Sequence, residues 1–114
     1  MATILLCEAD PDVRRLLGLL LERLRHEVVA LDRAPASIPA VDLMILEPAS
    51  SACLDHARRA REEQPRLPIL CVSVLPDDGE FLELGPLGFL PKPFALEKLG
   101  DAVDHVLTLA AWAA

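Results

Sequence analysis

Five residues of this 114-residue chain combine reactive side chains with positions at the ends of apolar runs: Glu8, Asp10, Glu47, Ser73 and Lys92. Carboxylate oxygens suit a hard divalent cation, and a lysine beside them stabilises negative charge on a reacting group. Taken singly, most have a plain explanation. Glu8 reads as a solvated acid at a strand end, Asp10 as a helix N-cap, and Ser73 as a cap on its strand. Lys92 resists that treatment best, because it stands between Pro91 and Pro93. Brought together, the five would form an acidic pocket centred on Glu47, an arrangement that invites a metal and a reaction.

They converge only if the chain puts those run ends on one side of a sheet. Thr3–Cys7, Glu27–Leu31, Leu43–Leu46, Pro68–Val74 and Gly88–Pro91 read as short strands, and Pro91 argues for an edge position in the last. Asp10 followed by Pro11 starts a helix over residues 11–24, with Val13, Leu16, Leu17, Leu20 and Leu24 turned inward. Ser50 or Ser51 caps a helix running to about Gln64, with Cys53, Ala57 and Ala60 inward, and a last helix spans about Leu96–Leu109. Pro35 and Pro39 leave room for no more than a turn of helix in residues 32–41, and Asp77–Leu84 makes a short helix stopped by Gly85 and Pro86. The pattern predicts a single α/β domain over residues 1–114. Its fold is a flavodoxin-like doubly wound five-stranded parallel sheet, strand order 2-1-3-4-5, with shortened second and fourth helices. In such a sheet the crevice lies outside the carboxyl ends of the strands, where all five residues fall.

Composition narrows the function. Eleven basic against 18 acidic residues give a formal charge of −7, which disfavours a grip on phosphate backbones, so no nucleic-acid partner is expected. The densest basic run, Arg58, Arg59 and Arg61, is followed at once by Glu62 and Glu63 and reads as a solvated helix face with local ion pairs. Cys7, Cys53 and Cys71 are odd in number and lack metal-ligand spacing, so neither a disulfide framework nor a zinc site is indicated. His26, His56 and His105 are scattered and receive no role. No signal peptide or membrane-length apolar run is read, and the expectation is a soluble cytoplasmic chain with no membrane partner. The turn Glu8-Ala9-Asp10-Pro11-Asp12 holds no glycine, which argues against a nucleotide-cradling loop and ranks a small-ligand binder low.

Four segments carry a resemblance over essentially the whole chain: Ile4-Leu5-Leu6-Cys7-Glu8-Ala9-Asp10-Pro11-Asp12-Val13-Arg14, Asp42-Leu43-Met44-Ile45-Leu46-Glu47, Leu67-Pro68-Ile69-Leu70-Cys71-Val72-Ser73 and Gly88-Phe89-Leu90-Pro91-Lys92-Pro93-Phe94. In order and spacing the chain resembles the receiver domain of bacterial-type two-component response regulators. The resemblance implies an acceptor aspartate ending the third strand, an adjacent acid pair holding Mg²⁺, a hydroxyl and a lysine on the phosphoryl oxygens, and a switching aromatic on the fifth strand. Carried over, Glu8 and Ala9 occupy the acid pair, Glu47 the phosphoacceptor position, Ser73 the hydroxyl, Phe89 the aromatic and Lys92 the lysine. Two positions depart. Ala9 cannot ligate a metal, and Glu47 sets its carboxylate about 1.5 Å further out than Asp would, enough to spoil a near-attack geometry.

The resemblance with its departures implies a pseudo-receiver, a signal-transduction module without enzymatic activity. It would not be phosphorylated and would bind a protein partner: a kinase, an output domain or another signalling protein. Glu47 would pair with Lys92, with Ser73 donating a hydrogen bond, and no metal is expected; Glu8, Asp10 and Glu47 are the weak candidates for a retained Mg²⁺. The alternative is a phosphoryl-accepting single-domain response regulator in a phosphorelay. No output domain follows residue 109, so the module acts alone or was cut from a longer regulator. Trp112, Leu109 and the terminal alanines leave two readings open, an exposed apolar patch for a partner or for a homodimer through the 81–112 face, or packing against the first helix. Phe89 likewise reads as a switch or as core filler.

Overall fold

Thr3–Cys7 (β1), Glu27–Leu31 (β2), Leu43–Leu46 (β3), Ile69–Ser73 (β4) and Gly88–Pro91 (β5) pair in parallel in the order β2-β1-β3-β4-β5. The computed structural model describes residues 1–31, 37–74 and 80–113. β3 and β4 are buried at every position, as a strand covered on both faces requires. Their alternating side chains feed two cores. Leu5, Cys7, Met44, Leu46, Ile69 and Cys71 face the helix Ser51–Glu63 (α2), which answers with Cys53, Leu54, Ala57 and Ala60. Ile4, Leu6, Leu43, Ile45, Leu70 and Val72 face the helices Pro11–Arg23 (α1) and Leu96–Ala113 (α3), through Leu17, Leu21, Leu99, Val103 and Val106.

The caps lie where the sequence places them. Asp10 Oδ1 accepts from the amides of Asp12 and Val13 at 2.9 and 3.3 Å, and Ser50 Oγ accepts from that of Cys53 at 3.2 Å. Within α1 the buried stripe centres on Leu17 and Leu21. Leu16, expected inside, is 55% exposed, because it sits roughly 120° around the helix from that centre.

The shortened second helix falls partly on residues 32–36, outside the described residues, and residues 37–42 carry no helix. Gln64 Nε2 donates to the Pro39 carbonyl at 2.9 Å and Ile38 N–H to Glu63 Oε1 at 3.2 Å, which ties this return to α2. Of the expected short helix Asp77–Leu84, residues 77–79 lie outside the described residues; Glu80–Leu84 is a single 3₁₀ turn closed by Gly85 at φ 63°. β5 forms the sheet edge that Pro91 requires. Gly88 enters this strand where a Cβ would stand 2.8 Å from Val106 Cγ2, so α3 can approach only a glycine there. Trp112 is 85% exposed, so it does not tuck against α1.

Arg61 departs from its expected place on a solvated face. Arg58 and Arg59 make the local pairs foreseen, with Asp55 and Glu63 at 3.2 and 2.9 Å. Arg61 instead turns inward, and its guanidinium donates to the carbonyls of Leu84 (2.7 and 3.0 Å), Pro65 (2.9 Å) and Leu67 (2.7 Å). It fastens the end of α2 to the approach to β4 and to the 3₁₀ turn. Arg61→Ala should cost about 2–3 kcal/mol in denaturant unfolding, and Arg61→Lys should recover little, since an ammonium lacks the planar fork. Full recovery by lysine would show that charge alone matters.

Candidate functional site

The parallel ladder delivers four of the predicted residues to one crevice. Glu8 follows β1, Glu47 follows β3, Ser73 ends β4 and Lys92 follows β5. Two further ladder bonds hold their backbones in register: Glu47 N–H donates to the Cys7 carbonyl and Lys92 N–H to the Ser73 carbonyl, each at 3.0 Å. The Lys92–Pro93 peptide bond is cis.

Lys92 is the hub. Its Nζ donates to Glu47 Oε2 at 3.0 Å and to Glu8 Oε1 at 2.5 Å, so one ammonium is shared by two carboxylates. The other oxygen of Glu47 is also engaged, accepting from Ser73 Oγ at 2.8 Å and from the Ala49 amide at 3.0 Å. The three charged side chains are only 4% (Glu8), 11% (Glu47) and 16% (Lys92) exposed. Such burial is tolerable because the charges are paired and their oxygens hydrogen-bonded. Arg14 adds a second tie to Glu8, donating from Nη1 to its carbonyl at 3.0 Å.

Burial works against the Lys92 ammonium, but the hydrogen bonds it donates to Glu8 and Glu47 and the charges of those acids outweigh it and hold its pKa above the ordinary 10.5. The stabilisation is therefore complete below pH 10.5 and is lost as pH rises through the raised native value. Chemical denaturation of the wild type and Lys92→Met should show the wild-type advantage shrinking above that pH. An unchanged advantage in strong base would mean that the ammonium is not its source.

The other predicted positions lie outside this cluster. Asp10 is exposed and caps α1 through Oδ1, and Ala9 is exposed on the same loop without a ligating atom. Phe89 is half-buried against the α2-side core, in register with Cys71. Both carboxylates that could face a divalent cation already face Lys92. Among the described residues, no group of three or more His, Cys, Asp or Glu side chains is arranged to hold a metal ion.

Behind the cluster lies a feature that spacing alone did not show. Cys7, the last residue of β1, and Cys53, in the first turn of α2, are both buried in the core on the α2 side of the sheet. The neighbouring Cys7 thiol pulls Cys53 down to about 7 against its own desolvation, with help from Ser50. Cys53 and burial push Cys7 up, and burial with the Glu47 charge pushes Cys71 up to about 12. Among the histidines, His26 accepts through Nδ1 from the Ala2 amide at 3.1 Å, which is a structural role.

No protein-family model matches the chain, and no curated protein is similar to it in sequence. Solved structures are similar in fold. The Vibrio cholerae chemotaxis protein CheY4 matches with a TM-score of 0.81 at 21% identity, over 93% of this chain and 98% of that one. The receiver domain of the sensor histidine kinase PA1611 from Pseudomonas aeruginosa, solved with a magnesium ion coordinated in its active site cleft, matches with a TM-score of 0.77 at 19% identity, over 94% and 98%. NtrX from Brucella abortus gives 0.80 at 20% identity over 98% of this chain, which spans only 28% of that longer protein. The fold is that of receiver domains. Among the described residues, no helix is long and apolar enough to cross a membrane.

Proposed function

We propose that the chain is a receiver-like signalling module that works by binding protein partners, is not phosphorylated, and has no enzymatic activity of its own. The observation that carries this reading is the occupation of Glu47. One of its oxygens is held by Ser73 and the Ala49 amide, the other by Lys92. Attack on a phosphoryl group needs a carboxylate oxygen free to approach phosphorus in line, with a cation to neutralise the incoming charge. Here the lysine that would receive phosphoryl oxygens is already bound by two acids, and Ala9 supplies nothing toward a metal. The donor set does not fit Mg²⁺, and the lysine serves as the cluster's fixed internal cation.

A pocket locked in this way suits a module whose surface is read in one state. Leu82, Leu87, Leu109 and Trp112 are exposed and offer apolar area to a protein partner, a second copy of the chain included. The test is direct. Incubated with acetyl phosphate and Mg²⁺, the protein should keep its intact mass. Gain of one phosphoryl group, abolished by Glu47→Gln, would overturn the proposal and establish a phosphoryl-accepting regulator.

A further inference from the structure

A cavity lies at the opposite end of the sheet from Glu47, at the amino ends of β3, β4 and β5. α2 stops at Glu63, and the chain returns to β4 through Gln64-Pro65-Arg66-Leu67-Pro68, where the prolines bar further helix. That return, the turn Glu80–Leu84 and the end of α3 frame an open hollow of about 980 Å³. Its walls are mainly apolar: Val41 ahead of β3, Leu67 ahead of β4, then Leu84, Leu87 and Ala110. Leu67 and Leu84 are buried, whereas Leu87 is exposed, although its N–H donates to the Ile69 carbonyl at 2.9 Å. A hollow of this size, apolar with a few polar groups, is the usual form of a small-molecule site.

The polar side chains that reach the cavity are not equivalent. Asp42 is turned to the backbone, with Oδ2 accepting from the Thr3 amide at 2.8 Å, and Gln64 Nε2 is given to the Pro39 carbonyl. Arg61 is a fixed, half-buried cation. Of the five N–H groups of a guanidinium, its bonds to the Leu84, Pro65 and Leu67 carbonyls use all but one on Nη2. Those partners are dipoles. Among the described residues no carboxylate pairs with Arg61, and burial pulls its pKa below the ordinary arginine value. Arg66 and Glu83 line the same hollow and are exposed. In a chain of net charge −7, two guanidiniums on one apolar hollow are a local exception. An anion there supplies the counter-charge that Arg61 lacks, in a partly dehydrated setting that strengthens the attraction.

We propose that this cavity binds a small monocarboxylic acid with an apolar body, as its anion. The carboxylate meets Arg61 and Arg66, and the hydrocarbon lies against Leu67, Leu84, Leu87 and Ala110. Glu83 disfavours a second carboxylate on the ligand.

Octanoate is the probe. Titrated into the isotopically labelled full chain, it should bind one to one with a Kd below about 1 mM. The NMR shifts should cluster at the amides of Val41, Arg66, Leu84, Leu87 and Ala110, leaving Glu8, Glu47 and Lys92 still. Octan-1-ol, octylamine and octanedioate should bind at these amides about 5-fold more weakly or worse, since each lacks the charge or adds a wrong one. Arg66→Glu should weaken octanoate by about 5-fold or more, and Glu83→Gln should tighten it by about 2-fold. Leu87→Asp, at an exposed position, should abolish binding. Arg61 is left unchanged, because its carbonyl bonds also hold the fold. No octanoate binding, equal binding of the alcohol or the amine, or an unaltered Kd in Arg66→Glu would overturn the proposal. So would concentration-dependent shifts at the same amides without octanoate, which would assign the cavity to a second copy of the chain. The experiment uses no phosphodonor and reads the far end of the sheet, so its outcome is separate from that of the proposed function.

Discussion

Replacing Lys92 by methionine should cost the fold about 3–5 kcal/mol, the largest loss expected from any single substitution at the pocket. Methionine keeps most of the lysine's volume and removes the ammonium, leaving Glu8 and Glu47 facing one another with 4% and 11% of their side chains exposed. Two buried carboxylates without their shared cation carry both a desolvation penalty and mutual repulsion. The loss should therefore depend on the acids. Lys92→Met combined with Glu8→Gln should be more stable than Lys92→Met alone, since one of the opposed charges is gone. Lys92→Met with Glu47→Gln should recover less, because Glu47 also serves Ser73 and the Ala49 amide. Urea unfolding of these four proteins together with the single variants Glu8→Gln and Glu47→Gln gives the coupling energies. A loss below about 1 kcal/mol for Lys92→Met, the range of an exposed ion pair, would show that the cluster is solvated in solution.

Much of this site was legible in the sequence because strand ends are a strong constraint. Once four apolar runs are placed in a parallel sheet, the next residues must share one edge, and Glu8, Glu47, Ser73 and Lys92 do. The Glu47–Lys92 pair and the Ser73 hydrogen bond follow from that placement and from side-chain reach. What could not be read was the other half of the arrangement. Glu8 as second acceptor for Lys92 depends on how far two neighbouring side chains extend, and the Ala49 amide depends on the turn after β3. The burial of Cys53 in one core with Cys7 needs the seating of α2 on the sheet, which small inward residues such as Ala57 and Ala60 permit but do not specify. Arg61 failed for a similar reason. Charge pattern marks an arginine on a helix but is silent about which turns nearby present bare carbonyls. Leu16 failed because periodicity in a leucine-rich helix is degenerate, and only packing selects among overlapping stripes.

The second large effect is a gain of chemistry: Ala9→Asp with Glu47→Asp should take up a phosphoryl group from acetyl phosphate where the wild type takes none. Each change addresses one fault. Shortening the acid at position 47 by a methylene withdraws the carboxylate by about 1.5 Å, out of the grip of Ser73 and the Ala49 amide and toward an attacking position. It should also cost about 1–2 kcal/mol, because those donors lose their acceptor. An acid at position 9, which is exposed beside Glu8, supplies a second adjacent carboxylate, and with the shortened acid the pocket gains the oxygen set a hard cation requires. Lys92, released from the longer glutamate, can then meet phosphoryl oxygens. The attacking carboxylate oxygen bonds to phosphorus as acetate leaves with its electron pair, so the product is an acyl phosphate, stable to acid and labile to hydroxylamine. Intact mass should show one phosphoryl group in the double variant with Mg²⁺ and none when Mg²⁺ is chelated, while each single variant stays at least about 100-fold slower. A double variant that folds yet remains unmodified would move the block from these two side chains to the connections around them, above all the turn Pro48-Ala49-Ser50 that presents its amide to Glu47.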